Sequence, residues 1–383
     1  MNKIWVTLIT GFLGSGKTTL LNTLLNHPAM SKAAVIVNEF GEIGLDYDLV
    51  ERSDESVVQL ANGCLCCSVK SDLIDTFRDL YIQRNAGTIP HFDRVVIETT
   101  GIADPMPILQ LIFTNPMIMN HYALDGVVTT VDAVNGLNSL ERFPECVKQA
   151  AIADRIIVTK VDLVKDTDGE EKVKELTERL RSLNPAAPIV ETATEEIDPS
   201  DLFGTGLFDA ATKQLDLQSW IDPNLYDEAE DGVSANEPSE TEMDEATLAY
   251  YREHGHTPEE HHHAHDPNIK SFCLVREDPI PLDMLRMFLE GLTNEAGPDL
   301  LRVKGIVNVE EKPDQPAVIQ GAQQIFHSLD WLPKWPSDDK RTRIVFITRN
   351  INKEYIEDAL ELIERVARRT AAAAAAALPP GAR

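Results

Sequence analysis

The sequence predicts an α/β domain with a mostly parallel sheet flanked by helices, followed by a smaller α+β domain. Three observations support this prediction. The chain has 383 residues, which is more than one hydrophobic core usually organises. From residue 4 to about residue 200, short apolar runs alternate with helical patterns, as is typical of parallel sheets. A second ordered pattern begins after residue 268.

Five apolar runs of the first domain have the length and the Val and Ile content of buried parallel strands. They are IWVTLIT (4–10), AAVIVNEF (33–40), RVVIETT (94–100), GVVTTVDA (126–133) and RIIVTKVDL (155–163). We therefore predict that the first domain spans residues 1–221.

Residues 222–268 interrupt this alternation. They are rich in acidic residues, Gly, Pro and His and nearly lack aliphatic periodicity, which predicts a flexible linker. Six of the ten histidines lie here, namely His254, His256, His261, His262, His263 and His265. Clustered neutral imidazoles can collect Zn²⁺, Ni²⁺ or Co²⁺ weakly. The alternative is a solvated linker whose histidines have no dedicated task.

The second domain is predicted over residues 269–368. KSFCLVRED, RVKGIVNVEE, PAVIQGAQQIFHSL and RTRIVFITR have strand patterns, and PLDMLRMFLEGLT and KEYIEDALELIERVARR have helical spacing. Residues 369–383 are a low-complexity tail.

Composition excludes several classes of partner. The chain has 63 acidic and 35 basic residues and a net charge of −28, which disfavours binding to nucleic acid. No apolar stretch approaches the roughly 20 residues of a membrane span, and the apolar N-terminal run is too short for a signal peptide. We therefore expect a cytoplasmic protein with neither nucleic acid nor membrane as partner.

A phosphate-binding motif follows the first strand. GFLGSGKT fits G-x-x-x-x-G-K-[ST] at Gly11, Gly16, Lys17 and Thr18. The glycines let backbone amides curl around phosphate oxygens, Lys17 can bridge the outer phosphates, and the Thr18 hydroxyl can bind Mg²⁺. A tight turn without a ligand is the alternative, which the strand before and the helix after the motif disfavour.

Two later strand ends complete the predicted nucleotide site. Glu98 can hold Mg²⁺ through water, and the amide of Gly101 can approach the γ-phosphate. Thr159, Lys160 and Asp162 end another strand, where guanine-specific loops lie in such sheets. Asp162 could accept two hydrogen bonds from guanine, which favours GTP over ATP. The usual first residue of that loop is Asn, and this chain has Thr159.

Three thiols lie between these phosphate-sensing segments. Cys64, Cys66 and Cys67 follow Gly63 in a C-x-C-C spacing and can share one soft cation, with a fourth ligand from elsewhere. Spacing alone leaves two alternatives open, a buried apolar cluster and a redox pair. The position of the motif favours a metal site that responds to the bound nucleotide.

The motifs GFLGSGKTTLLN, NEFGEIGLD, NGCLCC, ETTGIADP and TKVD stand in one order, and together they resemble the CobW family of P-loop GTPase metallochaperones, in particular its zinc-chaperone-like members. The resemblance is strong over about residues 3 to 200 and extends to the C-terminal domain. It implies a hydrolase that requires Mg²⁺ and GTP, binds metal through the cysteines and transfers it to a client metalloprotein. Zinc is favoured, and Co²⁺ and Ni²⁺ stay open.

Site residues are carried over from the resemblance by matching position. The cofactor-binding residues are Gly11, Gly14, Ser15, Gly16, Lys17, Thr18, Thr19, Thr159, Lys160 and Asp162; the candidates for catalysis are Lys17, Glu39, Glu98 and Gly101; the metal-binding candidates are Cys64, Cys66, Cys67, Thr18 and Glu42. In the same resemblance, Asn38, Glu39 and Glu42 lie on a loop expected to respond to the γ-phosphate. Either glutamate could orient water, touch Mg²⁺ or complete the thiol site.

Two rival functions remain at this point. One is a metal-independent GTPase switch that docks partners through its second domain. The other is a passive metal buffer in which hydrolysis has no role. Assembly into a homo-oligomer is also left open.

Overall fold

A computed structural model of the chain describes residues 3–38, 58–61, 69–164, 167–192, 197–199, 202–203, 221–227, 269–322, 325–326 and 329–377. The first domain contains a seven-stranded, all-parallel sheet in the order β3-β2-β4-β1-β5-β6-β7. The strands are β1 (Ile4–Gly11), β2 (Ala33–Asn38), β3 (Val58–Ala61), β4 (Arg94–Thr99), β5 (Tyr122–Asp132), β6 (Arg155–Thr159) and β7 (Ile189–Glu191). The predicted parallel α/β domain is thereby confirmed.

Helices cover both faces of this sheet. They are α1 (Lys17–Leu25), α2 (Val69–Ala86), α3 (Met106–Thr114), α4 (Pro116–His121), α5 (Gly136–Arg142), α6 (Pro144–Ala151), α7 (Thr167–Leu183) and the single turn α8 (Asn224–Asp227). The apolar side of α1 packs on one face, and α2 to α7 pack on the other. Pro116 and Pro144 begin their helices at a position where a missing N–H costs nothing.

The strands that carry the site are central and almost completely buried, and all residues of β5 are buried. Helices on both faces of the sheet explain why these strands are continuous Val and Ile runs. The register places Ile9 beside Glu98 and Gly11 beside Thr130. The ends of β1, β4, β5 and β6 therefore meet at one edge of the sheet.

The second domain is a six-stranded antiparallel sheet in the order β11-β10-β9-β13-β8, with β12 paired to β10. Its elements are β8 (Ile269–Arg276), α9 (Leu282–Ala296), β9 (Leu300–Val307), β10 (Ala317–Ala322), β11 (Ile325–Phe326), β12 (Asp330–Trp331), β13 (Thr342–Arg349) and α10 (Lys353–Ala377). Helices α9 and α10 pack on one face of this sheet. The predicted α+β domain is thereby confirmed.

Two helices extend into segments outside the two predicted domains, whose boundaries stay predictions. Helix α10 continues to Ala377, past the boundary predicted at residue 368, because alanine is the strongest helix former. The segment predicted as a linker from residue 222 begins with helix α8, whose Tyr226 is buried in the core. The start of that segment therefore packs against the folded domains.

The other face of the second sheet packs against the first domain. Val345 and Ile347 of β13 belong to the same apolar cluster as the helices of the first domain. The carboxylate of Asp154, in the turn before β6, accepts hydrogen bonds from Arg302 and Lys304 of β9. The interface therefore contains both apolar contacts and a buried ion cluster. Among the described residues, no helix is long and apolar enough to cross a membrane.

Candidate nucleotide and metal site

The phosphate loop joins β1 to α1 and depends on glycine at both ends. Gly11 has φ +142°, and a Cβ there would lie 2.4 Å from the carbonyl oxygen of Thr130. Gly16 has φ +91° and directly precedes α1. Since side chains rarely adopt such angles, glycine is required at both positions. The positive end of the dipole of helix α1 faces the loop. The first turn of α1 contains no acidic side chain that would offset it.

Side chains behind the loop fix its shape. The Ser15 hydroxyl lies 2.6 Å from that of Thr130, and Thr159 donates from Oγ1 to the Ser15 carbonyl at 2.7 Å. Lys17 donates from Nζ to the carbonyl of Phe12 at 3.0 Å, which holds its ammonium over the loop. The loop is therefore preorganised by buried polar contacts from two neighbouring strands, β5 and β6, and by Lys17 of α1.

Thr18 and Glu98 meet at the start of α1. The Thr18 hydroxyl donates to Oε1 of Glu98 at 2.6 Å, although the two residues are 80 positions apart in sequence. Glu98 is buried at the end of β4. A hydroxyl and a carboxylate are hard oxygen ligands of the kind that Mg²⁺ binds, so this pair fits the ion expected beside a triphosphate.

Gly101 lies against the phosphate loop. A Cβ at this position would be 2.6 Å from the backbone nitrogen of Leu13 and 2.7 Å from its Cα. Because both atoms belong to the backbone, they cannot give way as a flexible side chain would. The segment after β4 and the phosphate loop are thus in direct backbone contact.

The segment that ends β6 has two separate parts. Thr159 occupies the position that usually carries Asn. It is buried, and its hydroxyl donates a hydrogen bond to the phosphate loop. Lys160 has φ +60° and donates to Asp132 at 2.7 Å, while Asp162 is exposed on the following turn. The exposed carboxylate is available to a base at this edge. The remaining loop positions, Gly14 and Thr19, are both exposed.

Sequence reasoning missed several residues of this edge. Asp132 pairs with Lys160, Thr130 contacts the phosphate loop, and Gln149 of α6 donates to the carbonyls of Gly101 and Ala103. Asp132 could have been found, because it ends a parallel strand next to β1. Gln149 gives no such signal, since it is one polar residue within a helix.

The predicted thiol site lies outside the described residues. The structure does not describe Cys64, Cys66 and Cys67. It also does not describe Glu39, Glu42 and the six histidines of residues 254–265. Within the described ranges, no group of three or more His, Cys, Asp or Glu side chains comes together to hold a metal. Metal binding by these residues therefore stays a prediction.

The two cysteines in the described part of the chain do not extend this motif. Cys146 and Cys273 are buried and unbridged. Burial, with a smaller contribution from neighbouring Glu145, raises the pKa of the Cys146 thiol well above its ordinary value. A neutral buried thiol is a poor metal ligand, so Cys146 serves as core packing.

Known proteins share both domains of this chain. A family model described as CobW/HypB/UreG, nucleotide-binding domain, matches residues 5–191, and one described as Cobalamin synthesis protein cobW C-terminal domain matches residues 269–364. The zinc chaperone YjiA of Escherichia coli (strain K12) is 34% identical over 360 residues, which cover 94% of this chain and 98% of that protein.

Two further comparisons agree with these matches. The zinc-regulated GTPase metalloprotein activator 1 of Saccharomyces cerevisiae is 29% identical over 386 residues, covering 94% of this chain and 83% of that protein. The crystal structure of Zn(II)-bound YjiA GTPase from E. coli matches with a TM-score of 0.62 and 30% identity, covering 95% of this chain and 99% of that one.

Proposed function

The chain belongs to the CobW family of P-loop GTPases, and from this premise we propose that it hydrolyses GTP to control delivery of a transition metal, zinc in the first place, to a client metalloprotein. The observation that carries the proposal is the contact of Thr18 with Glu98 beside a complete phosphate loop. The names of the two relatives, a zinc chaperone and a zinc-regulated GTPase metalloprotein activator, support the choice of metal.

The reaction at the phosphate loop is transfer of the γ-phosphoryl group to water. The water oxygen bonds to the γ-phosphorus, the bond from that phosphorus to the β–γ bridging oxygen breaks, and GDP and phosphate leave. The protein contributes position and charge rather than covalent chemistry. Lys17 and the start of α1 supply positive potential in a chain whose net charge is −28.

Magnesium fits the pair of oxygen ligands at the start of α1. When bound, Mg²⁺ neutralises the charge that develops on the outer phosphates. Thr18 and Glu98 are the residues that would hold it. The exposed carboxylate of Asp162 would then select guanine at the other end of the nucleotide, because adenine leaves such an acceptor unsatisfied.

The order of strands explains how thiols can respond to the nucleotide. NEFGE begins at Asn38, the last residue of β2, which pairs with Thr99 of β4. The C-x-C-C motif stands between β3 and α2 in the chain, and β3 is the next strand outward from β2. The carboxyl ends of β2 and β3 lie at the edge that carries the phosphate loop, which supports a role for both segments in sensing the nucleotide. Three strand spacings, about 14 Å, separate β3 from β1.

We therefore expect two states of the metal site. With Mg²⁺ and GTP bound, the third phosphate contacts the segment around Gly101 and orders NEFGE, and the three thiols bind zinc tightly. Hydrolysis removes that order and releases the metal to the client. A shift of population from 1:99 to 99:1 requires about 5.5 kcal/mol, which contacts to a γ-phosphate and its Mg²⁺ can supply.

The proposal is tested by measuring zinc content and GTP hydrolysis on the same preparations. The wild-type chain is expected to bind one zinc ion tightly and to release phosphate from GTP in the presence of Mg²⁺. Cys66→Ala should lose the tight zinc and keep GTP binding. If the wild-type chain carries no tightly bound zinc and Cys66→Ala keeps its GTPase activity, the chain is a metal-independent switch; if Lys17→Ala still delivers zinc to a client, it is a passive buffer.

A further inference from the structure

Gln149 connects helix α6 to the segment that follows β4. Its side chain is buried, with 1% exposed, and Nε2 lies 3.3 Å from the carbonyl oxygen of Gly101 and 3.2 Å from that of Ala103. Both neighbours are acceptors, so the nitrogen of the amide must face them. The two hydrogens of one side-chain amide thus hold two peptide groups of the loop 101–103.

The position of Gln149 is itself fixed by contacts around α6. Thr129 of β5 donates from Oγ1 to the backbone carbonyl oxygen of Gln149 at 2.7 Å. The amide of Asn184, after α7, donates to the carbonyls of Ala150, Ala151 and Ala153 at 3.1, 3.0 and 2.9 Å. The helix is therefore tied to the central strand and to its neighbouring helix, and it provides a rigid support for the loop.

The start of α6 also touches the phosphate loop. The ring of Phe143, which precedes the helix, lies 4.5 Å from that of Phe12 between ring centroids. Gly101 lies against the backbone of Leu13, one residue further along that loop. Helix α6 therefore contacts both segments that would surround the outer phosphates, one through Phe143 and the other through Gln149.

Fixing a carbonyl also fixes the orientation of its peptide plane. In a trans peptide the N–H points opposite to the C=O, so the bonds from Gln149 orient the N–H groups of Ile102 and Asp104 away from α6. Backbone N–H groups of this segment are the donors available to a third phosphate. A loop held in one arrangement binds that phosphate without first losing conformational freedom.

A second feature argues against a purely structural role for this amide. The Oε1 atom of Gln149 is buried and has no hydrogen-bond partner among the described residues. An unsatisfied buried acceptor costs about 1–3 kcal/mol, which offsets much of what the two donated hydrogen bonds contribute to stability. The amide is therefore better explained by the two peptide groups that it holds in place than by a gain in stability of the core.

We propose that Gln149 is a positioning residue for the γ-phosphate, which holds the loop 101–103 in the arrangement that receives the third phosphate of GTP. The inference rests on the proposed GTPase function and extends it to a residue outside the nucleotide-binding motifs. It requires that loss of the amide weakens binding of the triphosphate specifically, because GDP has no group at this position.

The test is to compare Gln149→Met, which keeps the size of the side chain and removes its donors, with Tyr122→Phe. The control removes an equally buried hydrogen bond, from the Tyr122 hydroxyl to the Phe77 carbonyl, that involves neither helix α6 nor the loop 101–103. For Gln149→Met we expect affinity for a nonhydrolysable GTP analogue and kcat to fall about tenfold, with GDP affinity unchanged within about twofold. For Tyr122→Phe the ratio of the two affinities should stay at its wild-type value.

The inference would be overturned if Gln149→Met lost affinity equally for both nucleotides, if it kept the wild-type affinity for the GTP analogue, or if Tyr122→Phe showed the same change of ratio. If Gln149→Met does not fold, Gln149→Asn makes the same comparison, because it stays neutral and its shorter amide cannot reach both carbonyls. A wild-type chain that binds the GTP analogue and hydrolyses GTP normally separates failure of this inference from failure of the proposed function. A wild-type chain that does neither would overturn both.

Discussion

Arg302 of the second sheet donates from Nη2 to Oδ1 of Asp154 in the first domain at 3.2 Å, and both side chains are 1% exposed. Lys304 donates to the same carboxylate, which also accepts from the backbone N–H of Val127. One aspartate therefore balances two cations that lie buried between the domains. The ion cluster fixes how the second sheet sits on the turn between α6 and β6.

The first prediction concerns the stability that this cluster provides. Asp154→Asn keeps the shape of the side chain but removes the buried negative charge that Arg302 and Lys304 both contact, which should cost about 3–5 kcal/mol in free energy of unfolding. Urea denaturation measures the loss. Asp75→Asn, which removes an exposed partner of Arg78, is the control and should change stability by less than about 0.5 kcal/mol. Equal midpoints for the two variants would contradict the prediction.

The second prediction concerns the pH dependence of the same cluster. Burial alone would raise the pKa of Asp154, but the charges of Arg302 and Lys304 and the hydrogen bonds from Lys304 and Val127 outweigh it, and the pKa is lowered. The unfolded chain therefore binds the proton first as pH falls. The stabilisation is complete above about pH 4, the usual pKa of aspartate, and declines below it as pH approaches the folded-state pKa.

The stability difference between the wild type and Asp154→Asn should accordingly decrease below about pH 4, by up to about 1.4 kcal/mol per pH unit. Urea denaturation of both proteins at pH 7 and at pH 3 measures this change. If this stability difference is the same at pH 7 and at pH 3, the pKa of Asp154 is not lowered in the folded protein.

The third prediction concerns the contact between Gly101 and the phosphate loop. Gly101→Ala places a Cβ 2.6 Å from the backbone nitrogen of Leu13, so one of the two segments must move. We expect GTP hydrolysis to fall on the order of 10²-fold or more, because misplacement of reacting groups by about 1 Å has this effect.

The matched control for Gly101 is Gly291→Ala. A Cβ there meets only Ile363 Cδ1 at 3.7 Å, and the residue lies within helix α9. This variant should keep its activity and gain about 1 kcal/mol of stability from helix propensity. If Gly101→Ala is as active as Gly291→Ala, the backbone contact has no functional role.

The fourth prediction concerns the Mg²⁺ ligands. Thr18→Val removes the hydroxyl that bonds Glu98 without changing the size of the side chain, so kcat should fall on the order of 10²-fold and the Mg²⁺ concentration needed for half-maximal rate should rise. Thr23→Val on the same helix removes only an exposed bond to the Thr19 carbonyl and is expected to remain active. Phosphate release as a function of Mg²⁺ concentration tests both. An unchanged Mg²⁺ requirement in Thr18→Val would contradict the assignment.

Local patterns were sufficient to predict most of the fold. The five long apolar runs correspond to β1, β2, β4, β5 and β6, since buried parallel strands need continuous Val and Ile residues. Strands β3 and β7, of four and three residues, were not predicted. So few residues carry too little periodicity to be distinguished from a loop.

The residues of the candidate site also form two groups. Some can be recognised from neighbouring residues in the sequence, and others only from contacts in the fold. The phosphate loop, Glu98 and Gly101 lie in short motifs at strand ends, where the chemistry of each residue can be deduced from its neighbours in sequence. Gln149 contacts Gly101 across 48 positions and Asp154 contacts Arg302 across 148. Such partners are determined by packing between elements, and no spacing along the chain indicates them.

The central claim is that the γ-phosphate and the three thiols belong to one two-state unit. Competition with a chelator of known zinc affinity measures it directly, with the protein bound to Mg²⁺ and either a nonhydrolysable GTP analogue or GDP. We predict that the GTP analogue tightens zinc binding by at least about tenfold, the range of typical coupling between two sites. In Lys17→Ala this difference should disappear. Equal zinc affinities of the wild type in the two nucleotide states would contradict the account.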